Sequence, residues 1–419
     1  MSDPMYAAIS GLNASQSLLG VVGENIANVN TVGYKSSSMT FQQAMQQTLS
    51  GASAPTAALG GINPVQQAAG GAVNVAGVQI NTNEGTLEST GINTNLAIQG
   101  NGYFIVQTPS GGQAYTRAGN FSMDANGNLV DPNGNRVLGW SPTTIANKSQ
   151  TATNMTPLSV PPNQTDPATA STNITFSGNL NSQDVTDSIP VTVYDSQGNQ
   201  IPVTITFTNT NSSGGGTSWN VGYSYKLPGS STSTPSSGST QIGTLNCSST
   251  PPTYTSSGSI SITPNDGSAP ISFALSSADF ANLTDYAMTT QMTATANGNS
   301  AGTLQNFTIG SNGTLTGSFS NGGTKVLGQV ALANFANPGG LLNAGSNLWQ
   351  QSPNSGIPLV GTASTGQLGT IAAGQLEGSN VSLANQFVKM IVAQEGYQAN
   401  SKVITIAQTL DTTLVNMVQ

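Results

Sequence analysis

The chain has 419 residues, of which 6% are charged, with a net charge of −8, no histidine and a single cysteine. An average soluble protein carries about 25% charged residues, so this surface has to be covered by Ser, Thr, Asn, Gln and Gly. Eight basic residues cannot build a nucleic-acid-binding face. The missing histidine excludes Ser-His-Asp and Cys-His catalysis, and one cysteine excludes a disulfide framework and a multi-cysteine metal site.

The length allows two or three domains. In the first 35 residues Met5, Leu12, Leu19 and Ile26 fall seven apart, with Ala8, Val22 and Val29 between them and Ser15 as the polar lapse. That is a heptad seam for packing one helix along another. Asp3 and Pro4 read as an N-cap and first helical residue. Gly11, Gly20 and Gly23 each cost roughly 1 kcal/mol relative to alanine inside a helix, so this helix needs a partner. The first 34 residues contain no Lys or Arg, so the basic region of a secretory signal is missing. No apolar run approaches the ~18 residues of a membrane span.

Ala27-Asn28-Val29-Asn30-Thr31-Val32-Gly33-Tyr34-Lys35 closes the helix with turn formers. The string Ala-Asn-x-x-Thr-x-Gly-Tyr-Lys, just after a short N-terminal heptad helix, resembles the flagellar rod and hook protein family. Asn28, Thr31, Gly33, Tyr34 and Lys35 carry the match. Residues 36–73, rich in Gln, Ala, Ser and Gly, read as a linker with a short helical piece around Phe41–Leu49.

From about Val73 the pattern is that of strands. Asn95–Ile98, Gly100–Val106, Tyr115–Phe121, Asn128–Val130 and Val137–Trp140 follow each other, with Asn126-Gly127 and Asn133-Gly134 as hairpin signals. Asp124, Asn126 and Asn128 imitate the start of a calcium loop. Leu129 at the glycine position and Asn135 at the bidentate Glu position break that template. Gly100-x-Gly-Tyr-Phe and Tyr115-x-Arg117-x-Gly119-x-Phe121 also resemble the same family.

Residues 143–170, rich in Thr, Asn and Pro, mark a domain crossing. Ile201, Val203, Ile205 and Phe207 alternate with polar or proline positions, as do Trp219, Val221, Tyr223 and Tyr225. Each is a strand with one buried face. The turn Asp195–Gly198 joins Val191–Tyr194 to the first of them, and Val193–Gly198 resembles hook proteins in particular. Residues 228–258 read as an exposed loop beside the lone thiol of Cys247, and Ile260, Ile262, Ile271, Phe273 and Leu275 resume the strands. Near residue 300 the chain re-enters the first β-domain with Phe307, Ile309, Leu315 and Phe319. Val326, Val330 and Leu332 are expected to share one strand face.

The C-terminal segment mirrors the start. Ser379 or Ser382 offers an N-cap. Leu383, Phe387, Met390, Tyr397 and Ile404 form a three/four seam interrupted by Gln394 and Ser401, which Val403, Ala407, Leu410, Leu414 and Met417 continue after a one-residue shift. No proline interrupts Val381–Gln419, so a helix of about 38 residues would run roughly 57 Å. Glu377-Gly-Ser379-Asn380-Val381 and Val392–Asn400, with Gln394 and Tyr397, resemble the family's C-terminal signature, with Ser382 where the family carries Asp.

The expected fold is mainly β with α-helical termini. The two terminal helices pack as an antiparallel coiled coil, and two β-domains are nested. Expected divisions are 1–72 with 374–419 for the helical assembly core, 73–144 with 300–373 for the first β-domain, and 145–299 for an outer insert. Two helices alone leave apolar surface uncovered, and a head-to-tail contact that does not close builds a filament. The resemblance implies a hook subunit, polymerising with itself into a curved hollow tube that transmits torque as a universal joint. It also implies partners in the distal rod, hook cap and hook–filament junction proteins and the flagellar export apparatus. An extracellular location reached without a cleavable signal follows, with no cofactor, metal, nucleic acid or membrane span. A distal rod protein of the same family is the nearest alternative, and the insert of about 150 residues argues against it. An adhesin-like β-protein leaves the terminal heptads unexplained. A glycosidase-like carboxylate pair, Asp184 with Asp195, is the remaining enzymatic reading.

Overall fold

A computed structural model describes residues 2–43, 46–50, 65–68, 73–211, 217–227, 234 and 239–417. The chain forms two compact units, one of residues 1–161, 308–316 and 326–419, the other of residues 162–307 and 317–325.

In the first unit, helix α1 (Ser2–Ala27) places Asp3 and Pro4 in its first turn rather than ahead of it. The short helix α2 (Pro142–Ala146) is capped by the Ser141 hydroxyl, which accepts from the Thr144 amide. Helix α3 (Leu383–Met417) spans 35 residues, about 52 Å at 1.5 Å per residue. Ser382 precedes it, and its carbonyl accepts from the Gln386 amide.

The helical piece expected near Phe41 is a strand. Ser37–Gln43 pairs antiparallel with Val73–Ile80, and Gln46–Ser50 with Val65–Ala68. Long-range pairing with Val73–Ile80 overrides the local Gln/Ala composition; residues 44–45 lie outside the described segments. The β-part of this unit centres on Tyr103–Gln107, which pairs with Gln113–Thr116, Arg136–Trp140 and Thr324–Asn334 through Tyr103 and Phe104. Its core sets Phe335 edge-on against Tyr103 at 5.9 Å and Tyr115 at 4.8 Å between ring centroids. Residues 327–334 are all buried, so that strand is covered on both faces, whereas Val326 is exposed. The expected one-sided pattern fails there because both faces of the strand are packed.

The second unit holds a five-stranded antiparallel sheet in sequence order: Thr186–Tyr194, Gln200–Asn209, Ser218–Tyr225, Thr240–Asn246 and Thr253–Ser256. Much of the expected loop 228–258 is therefore sheet. Ile242, Leu245 and Tyr254 are its buried side chains, too sparse among Ser and Thr to show a period; residues 228–233 and 235–238 lie outside the described segments. A three-stranded sheet, Asn282–Tyr286, Ile174–Asn181 and Gln291–Ala296, packs into the same core. There Phe176 stacks on Phe280 at 4.9 Å, with Phe207 edge-on to both.

Candidate assembly surface and the junction beneath it

The two long helices lie antiparallel. A Cβ on Gly11 would fall 2.6 Å from Asn400 Nδ2, and one on Gly396 would fall 3.3 Å from Ser15 Oγ. Asn25 Nδ2 donates to Gln386 Oε1 at 3.3 Å. These pairs keep one register along α1, and α3 runs on about two turns beyond it.

The side chains that close this contact are small or polar. Ala8, Ala14, Val22 and Asn25 are buried on α1, and Gln386 and Ala393 on α3. Met5, Leu12, Leu19, Ile26 and Val29 are half-buried, as are Met390 and Ile404. The α3 seam read from the sequence departs from the face that α3 turns to α1. Leu383, Phe387, Tyr397, Leu410 and Leu414 are exposed, together with Val388, Ile391 and Val392. Periodicity alone marks an apolar face without saying which neighbour it meets, and the α1–α3 contact takes the row of small residues because it brings the backbones close.

Beneath the helices, a buried junction ties both ends of the chain to the β-strands. Gly33 takes φ +69°, and a Cβ there would sit 2.6 Å from the Ala118 amide nitrogen. The Gly33 N–H donates to the Glu377 carbonyl at 2.7 Å. Lys35 Nζ donates to Glu377 Oε1 at 2.6 Å and to the Asn83 carbonyl at 2.7 Å. Glu377 Oε1 also accepts from the Gly85 amide at 3.0 Å. Arg117 reaches Glu377 Oε2 at 3.4 Å and the Ile98 and Gly100 carbonyls at 3.2 and 2.6 Å, with its guanidinium 5.4 Å from the Tyr103 ring centre. Burial pulls the Lys35 ammonium below the usual lysine value, against the opposing pull of Glu377. Three buried charges hold one another here, and main-chain carbonyls and amides take further bonds, while Arg117 Nε has no hydrogen-bond partner among the described residues.

Asparagines extend the junction. Asn25 Oδ1 accepts from the Ser37 amide at 2.8 Å and the Tyr34 hydroxyl at 3.3 Å. Asn380 Oδ1 accepts from the Ser36 amide at 2.7 Å, while its Nδ2 donates to the carbonyls of Asn81 and Asn83. Asn28 Nδ2 donates to the Glu24 carbonyl, the Thr31 hydroxyl donates to Asn28 Oδ1, and the Ser379 hydroxyl accepts from the Val381 amide. Gln394 lies exposed on α3 and Val381 is half-buried at its approach. Glu377, Arg117 and Asn25 were missed as a group in the sequence. Their signal was a Glu and an Arg standing in two of the family-like motifs of a chain so poor in charge.

The carboxylate pair read as glycosidase-like is not brought together. Asp184 and Asp195 flank the nine-residue strand Thr186–Tyr194, about 30 Å at ~3.3 Å per residue, far beyond the spacing of a glycosidase pair. Asp124 Oδ1 accepts the amides of Asn126 and Asn128, and Oδ2 accepts Asn128 Nδ2. Its oxygens serve the turn. Among the described residues no cluster of His, Cys, Asp or Glu could hold a metal ion, and no helix is long and apolar enough to cross a membrane.

Comparison with known proteins places these features. Residues 5–35 match the family model "Flagella basal body rod protein", residues 97–182 "Flagellar hook protein FlgE/F/G D1 domain" and residues 372–417 "Flagellar basal body rod FlgEFG protein C-terminal". The chain is 34% identical to the flagellar hook protein FlgE of Escherichia coli over 425 residues, covering 98% of each chain. It belongs to the flagellar hook protein family. It is likewise 33% identical to the hook protein FlgE of Treponema pallidum over 470 residues, covering 99% of each. The crystal structure of Helicobacter pylori hook protein FlgE2 shares the fold at a TM-score of 0.54 with 16% identity, over 69% of this chain and 100% of that one. The flagellar hook protein family is structural, and this member is a hook subunit that belongs to the flagellum. The first matched segment holds α1 from Met5 onwards with its Gly33–Lys35 turn and the last holds all of α3, so the helix pair falls in the segments whose models are named for the basal body rod.

Proposed function

We propose that copies of this chain polymerise through the outward faces of α1 and α3, into a curved hollow tube that works as a universal joint. The observation that carries this reading is the apolar face of α3: Phe387 is 50% exposed, Ile391 58%, Val392 63% and Leu410 56%. Soluble monomers rarely leave a long contiguous apolar strip in water, and a repeated heterologous contact that does not close builds a helical polymer. The exposed and half-buried seam residues of both helices are the proposed assembly contacts, whereas Val22 is buried within the helix pair. The junction of Gly33, Lys35, Asn380 and Glu377 sets the angle at which the helices leave the strands.

The three-part division into a helical core, a first β-domain and an outer insert is part of this proposal. So are the partners that family likeness supplies: distal rod, hook cap and hook–filament junction proteins, and the flagellar export apparatus. No catalytic role is assigned. The test is electron microscopy of tubes assembled from the purified chain and from Phe387→Ser/Val392→Ser. Both side chains are exposed, so the variant should fold and fail to form tubes. Normal tubes from it would refute the proposed contact.

A further inference from the structure

Asparagine followed by glycine invites spontaneous deamidation, because glycine has no side chain to hinder ring closure. The glycine nitrogen loses its proton and attacks the asparagine Cγ. The Cγ–Nδ2 bond breaks, ammonia leaves with the proton, and water opens the cyclic imide to aspartate or isoaspartate. A glycine N–H held in a hydrogen bond must first be released, which slows the step by a factor of about 2–10 per bond.

Asn-Gly pairs begin at Asn101, Asn126, Asn133, Asn297, Asn312 and Asn321. In four of them the glycine N–H closes a turn: Gly127 to the Asp124 carbonyl at 2.9 Å, Gly134 to Asp131 at 3.0 Å, Gly313 to Gly310 at 2.8 Å and Gly322 to Phe319 at 3.0 Å. Asn297 is held by its side chain, whose Oδ1 accepts the amides of Thr172 and Asn173 and whose Nδ2 donates to the Thr172 hydroxyl.

Asn101 differs. It is exposed, and among the described residues no hydrogen bond restrains its side chain. Its carbonyl accepts the Gly369 amide at 2.8 Å, which draws electron density from the peptide and makes the Gly102 N–H more acidic. Arg117 Nη2 donates to the Gly100 carbonyl at 2.6 Å, so a buried cation sits on the peptide just before the one whose nitrogen must become an anion. The Glu84 carboxylate accepts from the Gly100 amide at 3.1 Å and opposes this, but Glu84 is exposed and solvent screens it.

We propose that Asn101 is a deamidation site of the folded protein, while the Asn-Gly pairs of the hairpin turns are protected by their own turn geometry. Isoaspartate there would add a methylene to the main chain of the loop whose carbonyls hold Arg117 and Gly369, and so loosen one side of the junction.

The test is peptide mapping by mass spectrometry of the full chain held at mildly alkaline pH, folded and in urea, with Asn101→Ser as the assignment control. In the folded chain Asn101 should convert about tenfold faster than Asn126 and Asn133. In urea all three should convert at similar rates. Equal rates at Asn101 and Asn126 in the folded chain would overturn the proposal. An unreacted Asn101 in folded protein, after the urea sample has converted, would also overturn it.

Discussion

Lys35 Nζ lies 2.6 Å from Glu377 Oε1, although 342 residues separate them. Both side chains are fully buried, and Arg117 joins the same carboxylate from just beyond the strand Gln113–Thr116. One glutamate therefore fastens the end of the N-terminal helical segment, the start of the C-terminal one and the β-strands between them.

Removing that glutamate should be costly. Glu377→Ala leaves Lys35 and Arg117 as buried charges without their carboxylate, which typically costs about 3–5 kcal/mol. Urea denaturation of the purified variant should show a loss of that order, with Glu377→Gln losing less because the amide still accepts. A loss under about 1 kcal/mol would mean that water or a shifted side chain replaces the pair.

The turns Asp124–Asn128 and Asp131–Asn135 are near copies, yet their glycines differ in surroundings. Gly127 and Gly134 both take φ +80°, which costs an alanine about 1–2 kcal/mol. A Cβ on Gly134 meets open space, whereas one on Gly127 would fall 2.2 Å from the Val160 carbonyl oxygen. Thermal denaturation should rank Gly127→Ala well below Gly134→Ala. Equal midpoints would contradict the packing reading.

The α1 glycines divide in the same way. A Cβ on Gly11 would press on the Asn400 amide group, but a Cβ on Gly20 or Gly23 meets nothing within 4 Å in the single chain. Gly20→Ala/Gly23→Ala should therefore raise helix content, each change favouring the helix by about 1 kcal/mol. If those glycines admit a neighbouring subunit, tube yield should fall at the same time. Higher helicity with unchanged assembly would remove both positions from the contact.

The pH response should be flat through neutrality and fall at the alkaline end. Burial pushes the Cys247 thiol up to about 12, with Asp285 adding to it, and burial pushes the Tyr254 hydroxyl up to about 12. Both are favoured neutral in the fold. Their stabilisation is complete below the unfolded values, about 9 and 10, and is lost as pH rises towards 12. On the acid side, burial alone would raise Asp166, but bonds from Lys325 and Asn321 outweigh it and hold it low. Asn128 holds Asp124 low. Those contributions disappear only below the ordinary carboxylate range. Circular dichroism should show constant structure from pH 8 to pH 5 and unfolding that begins above about pH 10, and tubes should keep their length and curvature to about pH 4. Depolymerisation between pH 6 and 4 would show that a few carboxylates govern the subunit contacts.

The terminal helices and the alternating strands were legible because heptad and period-two patterns are local. Ile201–Phe207 and Trp219–Tyr225 lie where their alternation put them. The strands at Ser37–Gln43 and Thr240–Asn246 were not legible, since their stability comes from distant partners rather than their own composition. Gly33, Tyr34 and Lys35 were visible as a motif, while their tie to Glu377 depends on a fold that brings residue 35 to residue 377. The apolar seam of α3, interrupted at Gln394 and Ser401 and continued from Val403 after a one-residue shift, is visible in the sequence, but the neighbour it meets is not. In three dimensions α3 turns a narrow face with Gln386 and Ala393 buried towards α1 and leaves a broad apolar face exposed.

Cysteine labelling at position 392 tests that outward face most directly. Val392 is 63% exposed in the single chain, so Val392→Cys in a Cys247→Ser background should react quickly with a thiol reagent as monomer. In assembled tubes the same thiol should be protected, because a neighbouring subunit covers it. Equal labelling of monomers and of normal-length tubes would contradict assembly through the exposed face of α3.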